Sequence, residues 1–409
     1  MQYKPQGLGI HLEISSNCNS KCLDCGRYVK GTDVVNPNVD VGSKGLLSID
    51  YIDNIFDNKI CSQIKYVNFT GTYGDAITHP NFFDIISKIG VLNKKYKEER
   101  LKNNLKEKII FKIETNAGLH NENFWKTFSE IINNNFDVDF SVIIVALDGI
   151  DDKTHQLYRR GVDFNKVLAN CNTMIANNLN LIWSMIVFDH NEHQVAIAKE
   201  QSKKLGFKEF KIRRSRLRHQ LSPFVPVIEN IYQKNQEISK KELNYSNNVT
   251  QNLEKKVIID SNFYFEKPLK ERKEYKDTEI ICEWKKLNRI SIDYTGRVWQ
   301  CCYFSTFYHT PIQFNQLGKT KKIDVNKASR KYENLKYYED MYDQNWNNIK
   351  YHNLSKIMQH NFFTKDLPIS FNNSINDKNN PRIARCTKFC GKNTRNMEKN
   401  IQKKVNATY

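Results

Sequence analysis

Three thiols stand within eight residues in Cys18-Asn-Ser-Lys-Cys22-Leu-Asp-Cys25, a spacing short enough for the sulfurs to fold round one metal centre. A structural zinc site is ordinarily closed by four ligands, with its cysteines in CxxC pairs. Three ligands with no local fourth suit an iron–sulfur cubane that keeps one iron open, and an open iron is a place to do chemistry. A second gathering lies far downstream, at Cys282, Cys301, Cys302, Cys386 and Cys390, enough thiolates to close a metal site completely. Cys61 and Cys171 fall in helical or pre-strand positions and read as buried structural residues. Two more polar residues, His11 and Glu13, share one face of the first strand by alternation; they read either as hydrogen-bonded core groups or as groups facing the site.

The elements that must position these thiols alternate from residue 8 to about 215. Candidate strands are Leu8 to Ile14, Ile64 to Phe69, Ile109 to Thr115, Val138 to Leu147, Leu179 to Phe188 and Phe207 to Ile212. Helical periodicity recurs between them over Ile49 to Phe56, Asn81 to Leu92, Glu122 to Ile132, Phe164 to Ala176 and Glu192 to Leu205. This order predicts an α/β fold, a parallel sheet with right-handed crossovers that curls toward a barrel, with functional loops at the strands' C-terminal ends. Six units are too few for a complete eight-stranded barrel. After Arg218 the pattern changes. Residues 221–280 are polar and lysine-rich, a linker with a helix or two. Arg289 to Ile292 and Arg297 to Trp299 flank Asp293-Tyr-Thr-Gly296, the signal of a hairpin with cysteines at its edges. Residues 303–385 are aromatic-rich and partly helical around Tyr351 to Phe363.

The CxxxCxxC loop after a first strand, followed by five more βα units, resembles the radical S-adenosylmethionine (SAM) superfamily. The resemblance implies a partial (βα)6 TIM-like barrel over 1–220. It also implies a 4Fe-4S cluster on Cys18, Cys22 and Cys25 whose open iron is chelated by SAM, and reductive cleavage to a 5′-deoxyadenosyl radical that takes hydrogen from a substrate. Asp24 stands where the family commonly has an aromatic or apolar residue. Tyr73-Gly74-Asp75 after the second strand is similar to the family's glycine-glycine-glutamate loop, where glycine lets backbone acceptors approach the SAM ammonium; a plain βα turn is the competing reading. Thr115-Asn116 after the third strand resembles the stretch near the ribose. Asp148-Gly149 with Tyr158-Arg159-Arg160-Gly161 resembles the pair after the fourth, although Ala146 replaces the usual serine. Within that pair Arg159 is favoured over Arg160 for the SAM carboxylate, which a guanidinium can grip through two parallel bonds; a surface helix charge is the alternative.

Cys282, thirteen intervening residues, Gly296, four more and Cys301 match the signature that opens the family's C-terminal SPASM and twitch extensions. No cysteine lies between Cys302 and Cys386. The resemblance therefore implies a twitch/SPASM-like hairpin domain over 281–409 with one auxiliary 4Fe-4S cluster on Cys282, Cys301, Cys386 and Cys390. Cys302 is the substitute for Cys301, and zinc remains the alternative metal.

The formal charge of +18 would favour polyanionic partners. No recognised nucleic-acid motif accompanies it, and much of the excess is spread over helices and the tail from Lys392 to Lys404. Met1 to Gly9 lacks a secretory profile, and no apolar run approaches a span of roughly 20 residues, so the expected setting is cytoplasmic and without membrane contact. The leading reading is a radical enzyme that oxidises or rearranges a small molecule such as a sugar or aminocyclitol, fed by an electron donor such as flavodoxin or ferredoxin. A maturase of a ribosomal peptide or protein side chain is the second reading, counted lower because few residues precede the first strand. A non-enzymatic metal protein that binds nucleic acid is the third.

Overall fold

The computed structural model describes residues 7–22, 25–28, 35–36, 39–213, 278–304 and 335–392. Asp24, nearly all of the expected linker and the basic tail beyond Lys392 lie outside the described residues. Among the described residues eight strands form one sheet: β1 Leu8–Leu12, β2 Ile64–Phe69, β3 Ile110–Thr115, β4 Val142–Ala146, β5 Leu181–Ile186, β6 Glu209–Arg213, β7 Arg289–Ile292 and β8 Val298–Trp299. Their order is β6-β5-β4-β3-β2-β1-β7-β8. Every pairing is parallel except the β7–β8 hairpin, and the sheet does not close on itself. This is the partial barrel that the strand count called for.

One face of the sheet is apolar because the helices that connect parallel strands must lie on it. Helices Phe82–Lys95, Glu122–Asn135, Phe164–Ala176 and Val195–Lys204 cover that face. Ile10, Val67, Phe111, Ile113, Ile143 and Trp183 from the strands are fully buried with Ile85, Phe128 and Met174 from the helices. Each such side chain contributes about 1.5–3 kcal/mol over leaving it in water. The helices start where the sequence supplies a cap: Asn121 accepts from the Phe124 amide at 3.2 Å, and Asp163 from that of Lys166 at 2.8 Å.

Ile64–Phe69 and Phe164–Ala176 fall where periodicity put them. The strands expected from Val138 and Leu179 start later. Asp137 to Ser141 form a turn closed by the Ser141 amide on the Asp137 carbonyl, and the Leu179 amide finishes the preceding helix on the Met174 carbonyl. Apolar residues there pack as turn and cap, which periodicity alone does not separate from strand. The helix expected over Tyr351 to Phe363 is split into Leu354–Met358 and a π turn at Phe362–Asp366.

The expected hairpin is present, and it is continuous with the barrel. β7 pairs with β1, Gly9 beside Arg289 and His11 beside Ser291. Gly296 adopts φ +81° in its turn, a conformation glycine reaches without strain. The Asp293 carboxylate accepts from the Thr295 and Arg297 amides and from the Trp299 indole at 2.9 Å.

Candidate active site

Four loops meet at the C-terminal end of the sheet. The thiol loop leaves β1 and is tied to the loop after β2, where the Asp75 amide donates to the Asn17 carbonyl at 2.8 Å. It is tied to the loop after β3 through Asn116 Nδ2 and Asn19 Oδ1 at 2.9 Å. It is tied to the turn after β4 through the Lys21 amide and the Arg160 carbonyl at 2.8 Å. The first tie needs glycine: a Cβ at position 74 would stand 2.2 Å from the Ser15 carbonyl oxygen, and one at Gly71 would stand 1.8 Å from that of Gly74.

Each sulfur receives donors. Cys18 Sγ accepts from the Ser20 amide at 3.4 Å and lies 3.6 Å from Asn116 Nδ2. Cys22 Sγ lies 2.9 Å from the Ser20 hydroxyl and 3.7 Å from Arg159 Nη1. Cys25 Sγ takes the Arg27 amide at 3.5 Å. Burial pushes all three thiols up, Cys25 to about 11, and for Cys18 the Asp75 carboxylate and the Cys22 and Cys25 sulfurs add to it. Thiols crowded in this way become thiolates when a cation takes the place of the protons, so the donor set fits a metal cluster. Among the described residues no three His, Cys, Asp or Glu side chains converge as ligands of a single ion. In a cubane each thiolate takes a different iron, and the sulfurs stand wider apart.

The other expected cofactor residues are brought to the same place but are partly engaged with one another. Asp75 is buried, and its Oδ2 accepts from the Thr115 hydroxyl at 2.9 Å and the Asn116 amide at 2.8 Å. Burial raises the Asp75 carboxyl, and those donors pull against it. Tyr73 is buried beside Val39 and Tyr294. Asp148 is fully buried and pairs with Arg159, Nε to Oδ2 at 2.5 Å. Its other oxygen accepts from the Ile186 amide at 2.6 Å. Burial works against the Arg159 charge, but Asp148 and then Cys22 hold its pKa above the ordinary value. The pair thus fixes a permanent cation against the thiol loop.

Two residues escaped the sequence reading. Arg27 is 6% exposed, and its Nε and Nη1 have no hydrogen-bond partner among the described residues. His155 is fully buried and accepts the Asp148 amide on Nδ1 at 3.2 Å. An arginine two residues past a cysteine and a histidine inside a short helix carry no spacing signal; only burial marks them.

The second thiol group converges as well. The Ile281 amide donates to the Cys390 carbonyl at 2.8 Å and the Lys392 amide to that of Glu279 at 2.9 Å, which lays the two cysteine segments side by side. Cys282, Cys301, Cys386 and Cys390 line one pocket with Phe304, Leu367 and Phe389; Cys302 is not in its lining. Burial raises Cys301, and Cys302, Cys386 and Cys282 follow as causes. Four sulfurs lining one apolar pocket suit the wider spacing of a closed cluster, since they do not converge on a single ion. Cys61 and Cys171 are buried in the barrel core.

Residues 12–199 match the radical SAM superfamily. No curated protein matches. Among solved structures, anSMEcpe with bound AdoMet is similar at 17% identity and a TM-score of 0.47, over 89% of this chain and 81% of that one. SuiB from Streptococcus suis is similar at 14% identity and a TM-score of 0.42, over 80% and 66%. Methylornithine synthase (PylB) follows at 10% identity and a TM-score of 0.31, over 52% and 54%. Among the described residues no helix is long and apolar enough to cross a membrane. The match over 12–199, a little under half of the chain, spans the thiol triad and the strands β2 to β5, so that part of the chain is similar to the radical SAM superfamily.

Proposed function

We propose that the chain reductively cleaves SAM and uses the resulting radical on a substrate held against the polar face of the sheet. The observation that carries this reading is the set of three thiols at the end of β1, Cys22 buried and Cys18 and Cys25 half-buried, with Arg159 and Asn116 aimed at two of their sulfurs. When bound, a 4Fe-4S cluster with SAM supplies the electron and the hydrogen-abstracting 5′-deoxyadenosyl group. Cys18, Cys22 and Cys25 hold that cluster. The loop through Tyr73, Gly74 and Asp75 offers backbone oxygens to the SAM ammonium. Thr115 and Asn116 border the ribose. Arg159, fixed by Asp148, faces the carboxylate. The ties among the four loops exclude water from the space between them.

The finer assignment is a SPASM/twitch-type enzyme with a barrel over 1–220, a linker over 221–280 and a C-terminal region over 281–409. Its one auxiliary 4Fe-4S cluster sits on Cys282, Cys301, Cys386 and Cys390. The substrate is a small molecule that is oxidised or rearranged, and the electron donor is a flavodoxin or ferredoxin.

The test is anaerobic reconstitution followed by incubation with SAM and dithionite. Wild type is expected to carry about eight irons per chain, two cubanes, and to release 5′-deoxyadenosine. Replacing Cys18, Cys22 and Cys25 together by Ala removes about four of the irons and all of the cleavage. Cleavage that survives the triple replacement overturns the assignment. An iron count near four with bound zinc replaces the auxiliary cluster by a structural site. Deuterium carried into 5′-deoxyadenosine from candidate sugars or from candidate peptides decides between a small molecule and a peptide.

A further inference from the structure

The face of the sheet opposite the helices carries a patch of buried polar atoms that the chemistry above does not use. Two register rows define it. Lys112, Asn68, His11 and Ser291 are successive neighbours across β3, β2, β1 and β7, and Tyr66, Gly9 and Arg289 form the row beneath. Gly9 leaves the space there that Tyr66 fills, since a Cβ at position 9 would stand 2.2 Å from the Tyr66 ring. Tyr66, Asn68 and Ser291 are 8%, 7% and 1% exposed. Yet among the described residues Asn68 Oδ1, the Ser291 hydroxyl and Arg289 Nε are buried without a hydrogen-bond partner, and the Tyr66 hydroxyl, which burial pushes up, has the Arg289 guanidinium pulling it back down. Buried polar groups of a native protein are normally paired, so three orphans on adjoining residues mark a place where a partner is supplied from outside.

The charge points to the partner's sign. Among the described residues the Lys112 ammonium has no ion pair, and it lies 4.7 Å from the Tyr66 ring centre, with the Arg289 guanidinium 5.7 Å from the same ring. Nearby acids are engaged elsewhere: Glu114 with Arg213 at 3.4 Å, Glu209 with Lys211 at 2.9 Å, and Glu13 with the Thr72 hydroxyl. Burial, then Arg289, Lys65 and Lys211, push the Lys112 ammonium down, the reverse of what a facing carboxylate would do. Two cations and two hydroxyl donors on one wall are the chemistry that grips an oxyanion.

We propose that Lys112, Arg289, Tyr66 and Ser291 form a subsite for an oxyanion group, carboxylate or phosphate, on the substrate. The proposal deepens the radical SAM reading and rests on it for the identity of the ligand as substrate. The binding itself can be read without SAM or reductant. The experiment is equilibrium dialysis of the reconstituted full chain with labelled inorganic phosphate and, separately, labelled acetate. At least one of the two is expected to bind saturably at one site per chain. Lys112→Met and Arg289→Gln each weaken it about 10-fold or more, and Ser291→Ala, which keeps both charges, weakens it by a smaller factor. Lys126→Met, which removes an exposed surface cation, leaves it unchanged. Tighter phosphate assigns a phosphoryl-bearing substrate, and tighter acetate a carboxylate. Absence of saturable binding of either anion, or wild-type binding by the Lys112, Arg289 and Ser291 variants alike, overturns the subsite. Loss of SAM cleavage by wild type would sink the radical reading and leave the dialysis result standing.

Discussion

Arg159 and Asp148 show how much of this site is decided by single ion pairs. Both side chains are nearly or fully buried, so removing the cation strands a carboxylate away from water. Arg159→Met is expected to cost about 3–5 kcal/mol in chemical denaturation, and Asp148→Asn added to it should recover part of that loss. A double variant no more stable than the single one would mean that the pair is not coupled. His155 provides the pH test. Burial, then the Arg159 charge, lowers its pKa to about 3. Folded His155 is therefore neutral where the unfolded chain begins to take a proton. Its contribution is full above about pH 6.5 and is lost as pH falls toward 3, on the order of 2–4 kcal/mol. His155→Asn, whose Oδ1 can still accept the Asp148 amide, should flatten the acid side of a melting-temperature profile. A profile as steep as wild type would assign the acid loss to other groups. The thiols were legible in the sequence because short spacers force sulfurs together. Arg27 and His155 were not, because their weight comes from burial that the chain creates only after it folds.

At the scale of elements, the hairpin turn is the best test of how sequence becomes geometry. Asp293 holds two amides and an indole within one turn. Asp293→Ala leaves those donors unpaired in a buried setting, at about 1–3 kcal/mol each before relaxation. The expected sum is a fall of several kcal/mol in stability, measured by urea unfolding; a loss under about 1 kcal/mol would show that water replaces the carboxylate. The turn itself was readable from Asp293-Tyr-Thr-Gly296, and so were all six barrel strands from their apolar runs. Strand ends were less so: Val138 and Leu179 are as apolar as their neighbours but serve a turn and a helix cap. No local pattern announced that β7 would lie against β1, since that contact joins segments about 280 residues apart.

Among the described residues the barrel strands and the hairpin belong to one sheet, because β7 continues the ladder of β1. A chain ended at residue 220 would leave the β1 edge unpaired, and open edges invite association between copies. Such a fragment should be aggregated in size-exclusion chromatography while the full chain elutes as a discrete species; a soluble monomeric fragment would show that the hairpin is dispensable. The same pairing fixes a length. β1 runs upward into the thiol loop, whereas β8 returns downward, bringing Gln300 level with Arg289 through its side-chain bond to that carbonyl at 2.9 Å. The two sulfur groups therefore belong to opposite ends of the strands. From the row of His11 and Ser291 up to Ser15, where the thiol loop begins, is four residues, roughly 13 Å of strand. The fold acts as a ruler: a molecule gripped at the lower row reaches the upper end only if it is extended, and the hydrogen it loses is chosen by its distance from its own charged end.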